Sequence, residues 1–196
     1  MLVGVISDTH GFYDPRVPAL LDGVAHILHA GDIGKGRIVE QLSGIAPVTA
    51  VRGNNDRQRP ESEYPEIETL NLGGCCIYLT HIVKVPKNGD AAGLAIYSEQ
   101  GVDVVVFGHS HMAFHESRGG LTFFNPGAAG KRRFKVVPSI QDHVRWCRLL
   151  VQAYGLGAKL RPCGWSGGLF HTFFHGQVFI PVVPDQTLTV YAVRRV

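Results

Sequence analysis

Leu2-Val3-Gly4-Val5-Ile6-Ser7-Asp8-Thr9-His10-Gly11, residues 2–11, joins a compact apolar run to a polar turn. The run has the length and composition of a strand, and the turn carries two metal-ligating side chain types just beyond its end. A short helix is expected over 17–23, after Pro15 and Pro18, so the opening reads as a β-loop-α unit. A second unit follows, with a strand over 25–30, a loop over 31–34 and a helix over 35–43, and a third strand over 48–51 stops at Arg52-Gly53. Strands alternating with helices predict a layered α/β sheet.

The same grammar continues. Residues 54–68 are polar and acidic, hold Pro60 and Pro65, and read as an exposed loop. Runs over 67–72 and 75–80, separated by Gly73-Gly74, read as a hairpin that delivers His81 at its end. A helix over about 90–100 precedes the β-branched run 102–107, which leads into Gly108-His109-Ser110-His111. A further hairpin, 113–117 and 121–124 around Gly119-Gly120, closes on Asn125-Pro126-Gly127.

Beyond that turn the pattern weakens. Ile140, Val144, Val151 and Tyr154 fit one face of a helix, 155–168 is glycine-rich, 169–183 is aromatic and apolar, and 187–196 reads as a strand. The chain is expected to form a single domain over 1–196, with 141–183 an atypical segment. That segment is either a genuine insertion that covers a cleft or builds a homo-oligomer, or a misread stretch such as a frame error.

Composition narrows the class. With 45% hydrophobic and 18% charged residues, the chain has the means to fill a core and lacks the profile of a disordered one. The net charge of +3 is mild and dispersed, which gives no ground for specific nucleic-acid binding and suits a small anionic substrate. Four cysteines with no CxxC spacing, the neighbours Cys75 and Cys76 among them, read as reduced thiols. Residues 1–7 offer no basic leader region or cleavage site, and no apolar run approaches the roughly 18 residues of a membrane span. The expected setting is cytoplasmic, away from membranes.

Five stretches place candidate ligands where strands end: Asp8-Thr9-His10, Gly31-Asp32, Gly53-Asn54-Asn55-Asp56, His81 and Gly108-His109-Ser110-His111. Loops at the carboxyl ends of α/β strands converge on one crevice. Asp8 and His10, two residues apart, fall on one side of an extended segment, and His109 and His111 repeat the spacing. The two oxygens of Asp32 can bridge a pair of cations, while Asn54 adds a neutral oxygen and His81 a nitrogen. Mixed oxygen and nitrogen donors suit Mn²⁺, Fe, Zn²⁺ or Ni²⁺ better than Ca²⁺. Such a pair of ions activates water and neutralises charge on a transferring phosphoryl group.

These residues resemble the calcineurin-like metallophosphoesterase superfamily over about residues 1–135, and the Asn125-Pro126-Gly127 element and short chain are similar to its YfcE-type phosphodiesterases. The resemblance implies a four-layer α-β-β-α sandwich, two mixed β-sheets flanked by helices. It implies one metal on Asp8, His10, Asp32 and His111 and another on Asp32, Asn54, His81 and His109. Departures are informative. Asn55 stands where many relatives have a proton-donating histidine, and an amide cannot serve as a general acid. Ile82-Val83 replaces the Gly-His common after this histidine, and Ile33-Gly34-Lys35-Gly36 does not match the protein phosphatases.

The expected activity is therefore hydrolysis of an aryl or nucleotide-like phosphodiester. Asp32, Asn54 and His109 would be catalytic, Asn54, Asn55 and His109 would touch substrate, and two divalent ions, Mn²⁺ first, would be cofactors. The alternatives are a phosphomonoesterase or pyrophosphohydrolase, and a non-catalytic protein-binding scaffold like the retromer subunit of the same superfamily. His29 is left outside the site as either a hydrogen-bonding support or plain packing. Asp56 either orients the Asn54 loop or caps it, and Lys131 to Lys135 read as a solvated charge run.

Overall fold

The opening apolar run becomes the central strand of a five-stranded sheet in a computed structural model. It describes residues 1–130, together with the backbone of strands at 147–151, 172–174, 177–179 and 188–192. β1 (Leu2–Ile6) lies parallel to β2 (His26–Ala30), which lies parallel to β3 (Val48–Val51). Helices α1 (Val17–Leu20) and α2 (Ile38–Ser43) occupy the two crossovers. The second helix was expected from Lys35, but Gly36 and Arg37 have φ of +110° and +56°, outside the right-handed helical region, so winding begins only at Ile38.

The second sheet is mixed. It contains β4 (Ile67–Leu72), β5 (Cys75–Thr80), β6 (Val104–Val106), β7 (Phe114–Arg118) and β8 (Leu121–Asn125), ordered β4-β5-β6-β8-β7. β5, β6 and β8 run parallel, and β4 and β7 pair antiparallel at the two edges through the expected hairpins. α3 (Ala91–Ser98) begins at Asp90, whose side chain accepts from the Gly93 N–H at 2.9 Å as an N-cap. The loop expected over 54–68 contains one 3-10 turn, Glu61–Glu63.

Side-chain alternation builds the layers. Val3, Val5, Leu28, Ala30 and Val51 of the first sheet meet Ile77, Leu79, Val104, Val106 and Phe124 of the second. Their sequence neighbours point the other way: Ile6 and Ile27 pack with Val17, Leu21, Ile38 and Leu42 of the α1–α2 layer, and Val105 and Phe123 pack beneath Leu94 and Tyr97 of α3. Because both faces of the central strands are covered, β1 and β6 read as unbroken apolar runs and β8 is buried throughout, whereas the edge strand β4 alternates exposed and half-buried positions. Each fully buried Val, Leu or Ile contributes about 1.5–3 kcal/mol. The result is the expected four-layer α-β-β-α sandwich of two mixed sheets.

The other side of β1 is taken by β9 (Cys147–Val151), antiparallel, and β12 (Leu188–Ala192) pairs antiparallel with β9. β10 (Thr172–Phe174) and β11 (Gln177–Phe179) form a separate two-stranded ladder. Val151 therefore belongs to a strand and not to the helix face expected with Ile140, Val144 and Tyr154, which lie outside the described residues. A β1 with no neighbour there would present a row of unpaired backbone groups, and the strand 147–151 satisfies them. The expected strand over 187–196 corresponds to β12. Most of the segment 141–183 lies outside the described residues. Among the described residues no helix is long and apolar enough to cross a membrane.

Candidate metal centre

β1, β2, β3, β5 and β6 end at Ser7-Asp8, Gly31-Asp32, Arg52-Gly53, His81 and Phe107-Gly108, and the loops that follow meet. The backbone holds them in register past the strands: Asp8 N–H donates to Gly31 O at 3.0 Å, His10 N–H to Asp32 O at 2.9 Å and Gly11 N–H to Ile33 O at 2.7 Å. Gly108 N–H donates to His81 O at 3.0 Å, tying the loops of the second sheet together. Gly31 permits the two sheets to approach, since a Cβ there would lie 2.6 Å from His81 Nδ1.

Backbone conformation singles out the same residues. Among the described residues six non-glycines have φ between +48° and +67°, and five of them are Asp8, His10, Asp32, His109 and His111. The left-handed region costs an L-residue energy that the surrounding fold has to over-determine, and such strain concentrates at functional sites.

Ligand atoms of Asp8, His10, Asp32 and His111 all lie within 4.8 Å of one another. The Asp8 carboxylate is buried; its Oδ2 accepts from the Ser7 hydroxyl at 2.6 Å and from the His109 backbone N–H at 3.0 Å. Its Oδ1 has no hydrogen-bond partner, though His111 Nε2 lies 3.2 Å away as a charge contact. His10 Nε2 and His111 Nε2 stand 3.2 Å apart. Two imidazole nitrogens and an unsatisfied carboxylate oxygen aimed at one point are a costly arrangement alone and fit a shared cation.

The second group is built around Asp32 and His81. His81 Nδ1 is 2.7 Å from the Ala30 carbonyl, which can only accept, so that nitrogen carries a proton and Nε2 is the one that can offer a lone pair to a cation when the ring is neutral. Nε2 lies 3.5 Å from Asp32 Oδ1 and 3.2 Å from Asn54 Oδ1, and the His109 ring stands edge-on to His81 with centroids 5.3 Å apart. All seven expected ligands are thus brought to one end of the sandwich, with Asp32 facing both groups: His10 Nε2 is 3.9 Å from its Oδ2.

Burial pushes the Asp8 carboxyl upward, and the Ser7 hydrogen bond and neighbouring histidines do not fully offset it. Burial also acts on Asp32, but His81 and the two Asn55 donors outweigh it and hold that carboxyl well below the ordinary range. For His81 the opposing effects run the other way: burial disfavours its charge, while Asp32 and the Ala30 carbonyl raise it.

Asn55, expected at the substrate, is found on Asp32: its backbone N–H donates to Oδ1 at 2.9 Å and its side-chain amide to Oδ2 at 2.6 Å. Asp56 orients the loop, since its buried carboxylate accepts the backbone N–H groups of Ile33, Gly34 and Gly53 at 3.0, 2.9 and 2.8 Å. It joins the Asp32 loop to the Asn54 loop. His29 is a support as well: its Nε2 lies 2.9 Å from Thr9 Oγ1, whose hydroxyl donates to Ile33 O at 2.8 Å. The Thr9 oxygen must therefore accept from His29 Nε2–H, and burial holds His29 neutral by moving its pKa down to about 3. Sequence reasoning missed Ser7, which supports Asp8, and Asn125, which donates to Gly108 O at 2.6 Å and accepts from Gly127 N–H at 2.8 Å. The Asn-Pro-Gly turn was the signal for Asn125; nothing local marked Ser7.

The domain of the calcineurin-like phosphoesterase superfamily matches residues 1–141. A probable metallophosphoesterase of Methanothermobacter thermautotrophicus is 38% identical over 138 residues, covering 65% of this chain and 77% of that protein. One from Methanocaldococcus jannaschii is 36% identical over 136 residues, covering 65% and 68%. Among solved structures, wild-type Vps29 of Entamoeba histolytica, complexed with Zn²⁺, is similar with a TM-score of 0.58 and 29% identity, over 78% of this chain and 87% of that one.

Proposed function

Because the chain belongs to the calcineurin-like phosphoesterase superfamily, we propose that it is a metal-dependent phosphodiesterase acting on aryl or nucleotide-like diesters. The observation that carries the diester reading is Asn55, whose backbone and side-chain N–H groups are both directed to Asp32. It holds a ligand in place and has no proton to give a leaving group. Substrates whose leaving group departs without protonation are favoured by such a site.

The donor set supports two divalent ions. Asp8, His10, Asp32 and His111 would hold one, and Asp32, Asn54, His81 and His109 the other, with Mn²⁺ the first choice among Mn²⁺, Fe, Zn²⁺ and Ni²⁺. When bound, such ions lower the pKa of water and neutralise phosphoryl charge. The chain's own part is positional. Ser7 and the His109 backbone fix Asp8, the Ala30 carbonyl sets the His81 tautomer, and Asn55 aligns Asp32. Asn54 and His109, both exposed, would also meet the non-reacting phosphoryl oxygens, and the second amide hydrogen of Asn55 would serve the same purpose.

The cytoplasmic setting belongs to the same proposal: Cys75 and Cys76 are unpaired, and burial pushes the Cys75 thiol up to about 11, where it stays protonated. The Vps29 likeness carries a second reading, a protein-binding scaffold of the same fold. Metal content and turnover separate the two. Purified protein supplied with Mn²⁺ should bind close to two ions and hydrolyse bis(4-nitrophenyl) phosphate, and Asp32→Asn and His109→Ala should each lose at least about tenfold in kcat. Fewer than one ion bound, with no turnover above the variants, would leave the scaffold.

A further inference from the structure

Six arginines lie within residues 1–130, and five are paired: Arg16 with Asp14, Arg37 with Glu40, Arg52 with Glu66, Arg59 with Glu63 and Arg118 with Glu116. Arg57 is the sixth, and it has no carboxylate partner among the described residues. It is exposed, on the loop that carries Asn54 and Asn55, and its Nε donates to the Asn54 carbonyl at 3.1 Å. That anchor ties the guanidinium to the backbone of a candidate metal ligand. Among the described residues the rest of the fork has no acceptor.

The base of Arg57 is fixed. Its backbone N–H donates to Asn55 O at 2.9 Å, and the preceding residue is the buried Asp56 that clamps Gly53, Ile33 and Gly34. A cation anchored at Nε on a clamped loop loses less freedom on binding than an arginine on a free loop. Guanidinium cannot be deprotonated in a protein, and its planar fork matches the oxygens of a phosphate two at a time.

We propose that Arg57 binds a second phosphoryl group of the substrate, one that is not cleaved, so that the preferred substrate is a phosphodiester bearing an additional phosphate. This rests on the phosphodiesterase reading, and it makes Arg57 a specificity residue without a part in the bond-breaking step. A phosphorylated nucleotide ester has both features, a diester for the metal group and a phosphate for the fork. Uniform binding of a remote phosphate lowers KM and leaves kcat unaltered.

The test compares thymidine 5′-(4-nitrophenyl phosphate) with its 3′-phosphorylated counterpart in the Mn²⁺-supplied protein. The 3′-phosphate should lower KM by about tenfold or more, and Arg57→Gln should remove that advantage while kcat for the phosphorylated substrate holds. Arg57→Lys should keep only part of it, because an ammonium is a point charge without the fork. Arg59→Gln, which removes an arginine already held by Glu63, should leave the ratio unaltered. Binding gives an independent readout by calorimetry. Thymidine 3′,5′-bisphosphate should bind wild type about tenfold tighter than the 5′-monophosphate, and Arg57→Gln should erase the difference. Equal affinities in wild type, or full retention by Arg57→Gln, overturn the assignment whether or not either ester is hydrolysed. Failure to hydrolyse both esters overturns only the phosphodiesterase reading.

Discussion

Asn55 gives its backbone N–H to Asp32 Oδ1 at 2.9 Å and its side-chain amide to Oδ2 at 2.6 Å, so one residue fixes both oxygens of the carboxylate that faces both ligand groups. Groups that orient a metal ligand are worth roughly 10–100-fold in affinity or activity. Asn55→Ala keeps the backbone contact and loses the other, and its Mn²⁺ affinity should fall about tenfold by calorimetry. Asn55→His brings a side chain that can hold a proton near neutral pH. It should raise turnover of an alkyl diester relative to a 4-nitrophenyl diester by roughly tenfold, and an unaltered ratio would count against the missing-acid reading.

Asp56 is the acceptor for three backbone N–H groups from two loops. Asp56→Ala leaves those donors without a partner and should cost about 3 kcal/mol in urea unfolding. Asp56→Asn offers one oxygen where two are needed and turns an N–H toward an N–H, so it should recover little of the loss.

His29 makes a pH prediction whose sign is fixed by its direction of shift. Its pKa is about 3 in the fold and 6.5 when exposed, so between those values the unfolded chain binds a proton that the folded chain refuses. Stability is therefore lost as pH falls below 6.5. At 1.36 kcal/mol per unit, His29 should account for about 2 kcal/mol of weakening between pH 7.5 and pH 5. Denaturant unfolding at the two pH values should show a smaller difference in His29→Gln than in wild type; equal differences would place the effect on other groups.

Gly108 sits where the second sheet meets the first. A Cβ there would collide with Ser7 Oγ and lie 2.7 Å from Asp8 Oδ2 and 2.8 Å from the Ala30 carbonyl. Gly108→Ala should displace Asp8, lower stability by roughly 2 kcal/mol and reduce the bound metal, read together by thermal unfolding and metal analysis. Retained metal at wild-type stability would mean that the loops have more room than this contact allows.

The layers were legible because their signal is local. Leu2–Ile6 and Val104–Val106 are apolar throughout as strands buried on both faces must be, and the Gly73-Gly74 and Gly119-Gly120 pairs mark the two hairpins. The tail was less legible: the spacing that included Val151 also fits a helix, and only its pairing opposite β1 makes it a strand.

Which side chains could ligate, their order, and that each follows the end of a strand could be read from the chain alone, since residue type and a two-residue alternation are written in it. It took the packed fold to bring Asp8, Asp32, Asn54, His81 and His109 together, to turn Asn55 and Asp56 to the loops before any substrate, and to leave Arg57, alone among the arginines of residues 1–130, without a carboxylate. The physical reason is that these relations depend on two sheets packing through Val3, Leu28, Ile77 and Val104, and on backbone N–H groups, which every residue but proline carries and no local pattern assigns to a partner.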